Sequence, residues 1–367
     1  MKEAKEAKET KETKEAKKAK KIKIGNLFIG GGEPVAIQSM TNTPTADVDA
    51  TVKQILSLEQ CGCEIVRATV NDEAAANAIS KIKEQIHIPL VADIHFDYRL
   101  AIKAVEQGVD KVRINPGNIG DRDRVKQVVD ACKKYGVPIR VGVNGGSLPK
   151  PIVEKFGGVT PEALMEAAKE QISVLEELDF HEIVLSLKVS DVEKNIAAYT
   201  LASEVFPYPL HLGVTEAGGG IWGVTKNAIG IGTLLRNGIG DTLRVSLTES
   251  VEEEIDAAKA ILTATGRRKE WVEVIACPTC GRTKIDIISL AKEVKEKTKQ
   301  IHKPLKVAVM GCVVNGPGEA KDCDIGIAGG DGKAVLFEKD ENGVSQITKT
   351  LPEHEIVQTL LNKIEQM

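Results

Sequence analysis

Two sets of residues in this chain have the types and spacing to do chemistry. The first is sulfur-based. Cys277-Pro278-Thr279-Cys280 is a tight turn that aims two thiolates at one metal, and Cys312 lies in the stretch Gly311 to Glu319, which holds three glycines and a proline. Two metals fit. With Cys323 the four thiolates make a closed tetrahedral zinc site. Without it, Cys277, Cys280 and Cys312 hold three irons of a [4Fe-4S] cluster and Glu319 returns to the fourth. The glycine-rich turn favours the cluster, because it lets the chain fold closely round a bulky inorganic core. Cys61, Cys63 and Cys132 have no such partners and read as small buried hydrophobes.

The second set is cationic: Arg67, Arg113, Arg140, Lys188 and Arg244, each in or just after a short β-branched run. One such residue would be half of an ion pair. Five converging on one mouth repel one another unless a polyanion joins them, and phosphate suits the planar guanidinium fork. Gly218-Gly219-Gly220 and Asn237-Gly238-Ile239-Gly240 supply glycine turns nearby, and Asn115, Asn118, Asn144, Ser186 and Ser246 add neutral donors. Asp93 and Glu216 are the carboxylates of this rim; amid Arg side chains they stay ionised, suited to orienting hydroxyls and passing protons. His95 and His211 complete the candidates.

These residues need elements to carry them. The runs Ala36-Ser39, Ile65-Thr69, Leu90-Asp93, Lys111-Ile114, Ile139-Val143, Ile183-Leu187, Leu210-Val214 and Thr242-Val245 alternate with amphipathic helical stretches. Their starts are 29, 25, 21, 28, 44, 27 and 32 residues apart, close to the length of a βαβ unit. A (β/α)8 TIM barrel over residues 24–268 is the economical solution, with its active site where the strands end. An open doubly wound sheet is second, since the first strand-to-helix turn lacks a G-x-G-x-x-G fingerprint. Residues 269–367 read as a smaller α+β domain: a strand at Trp271-Ala276, the Cys-x-x-Cys turn, a helix near Ile285-Lys299, a strand at Lys306-Met310, a hairpin around Gly329-Gly330-Asp331-Gly332 and a helix from Pro352.

Residues 1–23 hold ten Lys against five Glu with no apolar face and read as a mobile tail; with −4 overall, the remainder carries about −9. An acidic chain with only 2 Trp, 4 Tyr and 6 Phe is a poor single-stranded nucleic-acid platform. No apolar run is long enough for a membrane span or a signal peptide, so a cytoplasmic location is expected.

The motifs Gln38-Ser39-Met40-Thr41-Asn42-Thr43, Arg113-Ile114-Asn115-Pro116-Gly117-Asn118, His211 to Gly218, Cys277 to Cys280 and Asn315 to Glu319 recur together, in order, in one family. Over about residues 22 to 367 the chain resembles the 4-hydroxy-3-methylbut-2-enyl diphosphate synthases of the methylerythritol phosphate pathway, in their two-domain bacterial form. The resemblance implies reductive ring opening and dehydration of 2-C-methyl-D-erythritol 2,4-cyclodiphosphate, with electrons from reduced flavodoxin or ferredoxin. It implies a [4Fe-4S] cluster on Cys277, Cys280, Cys312 and Glu319. Substrate binding falls to Arg67, His95, Arg113, Arg140, Asn144, Lys188, Arg244 and Ser246, and the acidic pair is Asp93 and Glu216. It also implies a homodimer in which the cluster domain of one subunit caps the barrel of the other. The competing expectation is a zinc-stabilised barrel that grips a phosphorylated ligand without redox chemistry.

Overall fold

The computed structural model describes residues 19–312, 318, 320–330 and 332–367, which divide into two compact units meeting at Arg267 and Arg268. The reading of residues 1–18 as tail lies outside the described residues. The first unit opens with a hairpin, β1 (Ile22–Ile24) and β2 (Leu27–Ile29), turned at Gly25-Asn26. Gly25 has φ +58, as a two-residue turn of this kind requires. The barrel strands follow: β3 (Ala36–Met40), β4 (Ile65–Thr69), β5 (Leu90–Asp93), β6 (Lys111–Ile114), β7 (Ile139–Asn144), β8 (Ile183–Lys188), β9 (His211–Leu212) and β10 (Thr242–Leu243). They pair in parallel in the order β8-β7-β6-β5-β4-β3-β10-β9. A parallel bridge between Leu185 and Leu210 joins the two ends, so the sheet closes into the expected (β/α)8 barrel. The last two strands are two residues long where longer runs were expected, because the chain leaves the ladder early to form the loops of the mouth.

Alternate residues of each strand face the barrel interior. At the floor these are Ala36, Ile65, Val91 and Val184, which pack against Ile22, Ile24 and Ile29 of the hairpin. That hairpin is an apolar plug, and β1 takes in Ile22 and Lys23 from the stretch read as tail. Above the floor the interior turns polar, with Gln38, Arg67, Asp93, Lys111, Arg113, Arg140, Ser186, Lys188 and His211. Most barrels fill this space with branched apolar side chains.

The second unit is a five-stranded sheet in the order β11 (Glu273–Ala276), β12 (Lys306–Met310), β13 (Ile325–Gly329), β14 (Lys333–Lys339) and β15 (Ser345–Pro352). The first three are parallel and the last two antiparallel. Helices Ile287–Thr298 and Glu353–Gln366 bury Ile287, Val294, Ile356, Leu360 and Ile364 against Val307, Val309, Ile325 and Ile327. β15 was not expected; its outward residues are polar and its sequence alternates weakly. Among the described residues no helix is long and apolar enough to cross a membrane.

Candidate active site

Asp93 is the hub of the barrel mouth. It ends β5, is 3% exposed, and meets Arg113 Nη1 at 3.1 Å, Arg67 Nε at 3.7 Å and His95 Nε2 at 3.9 Å. Burial pushes its carboxyl up, but Arg67, Arg113 and Arg140 outweigh burial and hold it below the usual carboxylate range. Asp93 is therefore ionised, and its neighbours are fixed by it. Arg67 also donates to Met40 Sδ, at 3.1 Å from Nε and 2.8 Å from Nη2. Burial lowers the Arg67 guanidinium to about 10, with Asp93 opposing and Arg244 and Arg113 adding to the fall.

Glycine makes room for these cations. A Cβ on Gly142 would stand 2.6 Å from Arg113 Nε, and one on Gly213 would stand 2.7 Å from Lys188 Nζ and 2.9 Å from the Arg244 carbonyl oxygen. Asn144, at the end of β7, accepts from Arg113 Nη2 at 3.3 Å once its amide is set to satisfy both neighbours. Arg244 is held by Glu254, with Nε to Oε2 at 3.2 Å and Nη2 to Oε1 at 2.9 Å. Glu254 also accepts from Ser39 Oγ and the Leu247 amide. Ser246 is fixed through its backbone, paired with the side chain of Asn227.

Below them lie buried polar atoms with no hydrogen-bond partner among the described residues: both amide atoms of Gln38, Lys111 Nζ, Arg113 Nε, Arg140 Nε and Nη1, and His211 Nε2. Burial first, then Arg140, push Lys111, Lys188 and His211 well below their ordinary values, and burial first, then Arg67, does the same to Arg140. A buried excess of unpaired donors and positive charge is complementary to an anion with many oxygens. Glu216 differs from Asp93 in every respect: it is exposed, lies in the loop beyond β9, and has φ +54. A non-glycine residue held there carries strain of order 1–3 kcal/mol, a cost found most often at functional positions.

In the second unit the parallel pairing places Cys277, just past β11, beside the end of β12, just before Cys312. The Cys277 amide donates to Val309 O at 3.3 Å, and the Gly311 amide donates to Cys277 Sγ at 3.2 Å. Cys280 is exposed; the Arg282 backbone amide, then its side chain, hold this thiol below its usual value, toward the ligating thiolate. Cys323 is placed differently. It is 2% exposed among Ala308, Met310 and Phe337, and burial pushes its thiol up. Its neighbour Asp324 bonds Lys306 at the opposite end of β12, roughly 13 Å of strand from Met310, the end that precedes Cys312. The four-cysteine zinc site is therefore not what this sheet builds, whereas three accessible thiols at one end suit an iron-sulfur group. Glu319 and Asn315 lie outside the described residues. Among the described residues no group of three or more His, Cys, Asp or Glu side chains is arranged to hold a metal ion. Cys63 and Cys132 are buried, and burial pushes both thiols up to about 12, as inert hydrophobes require; Cys61 is half-buried.

Two family models match in chain order, the GcpE TIM-barrel domain over residues 19–259 and the GcpE protein C-terminal domain over residues 273–366. The chain belongs to the GcpE family. Its relatives include the 4-hydroxy-3-methylbut-2-en-1-yl diphosphate synthase (flavodoxin) of Caldanaerobacter subterraneus subsp. tengcongensis, 59% identical over 94% of this chain and 96% of that one. The protein of the same name from Clostridium perfringens is 57% identical over 94% and 97%. Among solved structures, Plasmodium falciparum HPPK-DHPS has a TM-score of 0.50 at 11% identity, over 68% of this chain and 51% of that one. At that identity the likeness shows the fold alone. As a GcpE-family protein the chain is an iron-sulfur oxidoreductase, and the zinc-stabilised binding barrel has no support. Sequence reasoning missed Glu254, Gln38 and Lys111 in this GcpE barrel. Glu254 looked like one of three acidic residues opening a helix, and Lys111 like the flank of a strand. The period-two alternation with Arg113 was the signal that Lys111 faces inward.

Proposed function

We infer that this enzyme carries out the reductive ring opening and dehydration of 2-C-methyl-D-erythritol 2,4-cyclodiphosphate at the barrel mouth, yielding 4-hydroxy-3-methylbut-2-enyl diphosphate. The observation that carries the assignment of the site is the cluster of buried, partly unpaired cations around one ionised carboxylate. Two electrons enter, a ring C–O bond to phosphate breaks, and one hydroxyl leaves as water.

Arg67, Arg113, Arg140, Lys188 and Arg244 hold the diphosphate, with His95, Asn144 and Ser246 as further contacts. Arg67, Arg113 and Arg244 stabilise the charge released on the phosphate oxygen as the bond breaks, without reorganising, because Asp93 and Glu254 already fix them. Asp93 acts as an ionised anchor that orients. Glu216, exposed and strained at the rim, is positioned to pass protons to the leaving hydroxyl. Cys277, Cys280, Cys312 and Glu319 would hold a [4Fe-4S] cluster. When bound, that group supplies electrons one at a time. Reduced flavodoxin is the donor the relatives' name points to, with ferredoxin as the other candidate. A cytoplasmic homodimer, residues 24–268 as substrate domain and 269–367 as cluster domain complete the proposal.

The test is iron, acid-labile sulfide and zinc content with a visible spectrum, on protein purified without oxygen. About four irons and four sulfides per chain, with a colour bleached by dithionite, are expected. One zinc without sulfide would overturn the redox reading. The variant Glu216→Gln should keep the cluster spectrum and lose most turnover; full activity would remove Glu216 from the mechanism.

A further inference from the structure

Lys111 is unusual among the interior cations. It is fully buried, its Nζ bonds no described residue, and it lies one inward step below Arg113 on β6, under the residues that grip the diphosphate. The charged and titratable groups facing the same interior are Arg67 on β4, Asp93 on β5, Arg140 on β7, Lys188 on β8, His211 on β9 and Arg244 on β10. On its own strand Arg113 sits above it, and Gln38 on β3 is neutral. Of these only Asp93 is anionic, and it is already shared by Arg67 and Arg113, while buried Glu254, on the helix after β10, is taken by Arg244. A buried ammonium with guanidinium neighbours and no carboxylate of its own is unfavourable, and burial, then Arg140, pull this amine well below its ordinary value.

We propose that Lys111 is the proton acceptor of substrate binding: its amine is neutral in the free enzyme and takes a proton from solvent when the cyclic diphosphate enters. The Nζ lone pair forms the new N–H bond as hydronium or a buffer acid gives up its proton, and no electrons change hands. The anion supplies the counter-charge that the interior lacks, so the positive charge of the site rises to match its ligand. Lys111 is thus a positioning residue acting through the field beneath the phosphates. The proposal rests on the substrate reading above and extends it, since no diphosphate contact is asked of this side chain.

The test is calorimetric titration of the cyclic diphosphate into oxidised holoenzyme, without reductant, in two buffers of equal pH and different ionisation enthalpy. Wild type should take up about one proton per site at about pH 8. In Lys111→Met, which keeps the apolar stem, that uptake should vanish. Its affinity should be about tenfold weaker near pH 7 and converge on wild type toward about pH 10, where the amine no longer gains a proton on binding. Tight binding by wild type with no proton uptake between about pH 6 and 9 overturns the proposal without any variant. Uptake that persists in Lys111→Met also overturns it, assigning the proton to Lys188 or His211. No binding at all would instead remove the substrate reading on which the proposal stands.

Discussion

Both candidate sites sit where parallel strands end, yet the barrel mouth and the cysteine turn are built in opposite ways. At the mouth the cations are largely buried, Arg67, Arg113 and Arg244 are braced by a carboxylate, and Gly142 and Gly213 leave space for Arg113 and Lys188. At the cysteine turn Cys280 is exposed, Cys277 and Cys312 are half-buried, and Cys277 Sγ accepts one backbone hydrogen bond. On the function proposed above, the difference would follow from what each site binds. A diphosphate cannot order its own partners, so the protein must pre-arrange them at the cost of burying them. An inorganic cluster is rigid and can order its own ligands, so the protein need only bring thiols to one place.

The largest test of that contrast is Cys312→Ser. Losing one of three thiolates should abolish cluster loading and reduce turnover by roughly a thousandfold or more, an effect of about 4 kcal/mol on the barrier. Binding of the cyclic diphosphate should stay within a few-fold of wild type. Iron analysis and titration calorimetry on the same preparation separate the two, and a large loss of substrate affinity would show that the sites are not independent.

Asp93→Asn is the corresponding break at the mouth. It leaves Arg67 and Arg113 buried without their counter-charge, so a loss of about 3 kcal/mol in denaturant stability is expected. The pH dependence has a definite sign. Asp93 titrates below its ordinary range when folded, so its contribution is present above the unfolded carboxyl value, near about 3.9, and is lost as pH falls through the folded value. Wild type should therefore lose stability on acidification below about pH 4, and the Asn variant should show a flatter acid limb there.

Gly142→Ala sharpens the comparison without removing any functional atom. The new methyl group would overlap the Arg113 guanidinium and tilt it away from Asp93 and Asn144. A fall in kcat/KM of roughly ten- to a hundredfold with normal iron content is expected, since small misplacements of a positioning group have effects of that size. Unchanged kinetics would mean that Arg113 is not held where the substrate needs it.

How much of this was legible in the sequence depends on whether the signal was local. Six strands were readable to within a residue or so, because β-branched runs such as Ile65–Thr69 and Lys111–Ile114 are buried on both faces and bounded by turn residues. The hairpin plug was overlooked although Ile24-Gly25-Asn26-Leu27 has a turn signature, because the Lys-rich segment before it masks the alternation of Ile22 and Ile24. Arg67, Arg113, Arg140, Lys188 and Arg244 were found from strand ends alone. Their partners were not: the Glu254 to Arg244 pair joins a strand end to the helix that follows it, and spacing does not show which acid of a helix turns inward. Cys323 could not be separated from the other three cysteines by spacing, since only strand register shows that it lies at the far end of β12.

Cys323→Ala is accordingly the smallest expected effect and the most direct check on that register. The residue is buried in the apolar cluster that runs along this face of the sheet, and burial pushes its thiol up, so it should behave as a small apolar side chain. Removing its sulfur leaves a void smaller than a methionine's and should lower stability by about 1 kcal/mol. Iron content, sulfide content and turnover at 25 °C should match wild type, that being an ordinary assay temperature at which a loss of this size leaves the fold intact. A Cys323→Ala protein that loses iron in step with Cys312→Ser would place the fourth thiolate on the metal after all and overturn the register that sets Cys323 apart from Cys312.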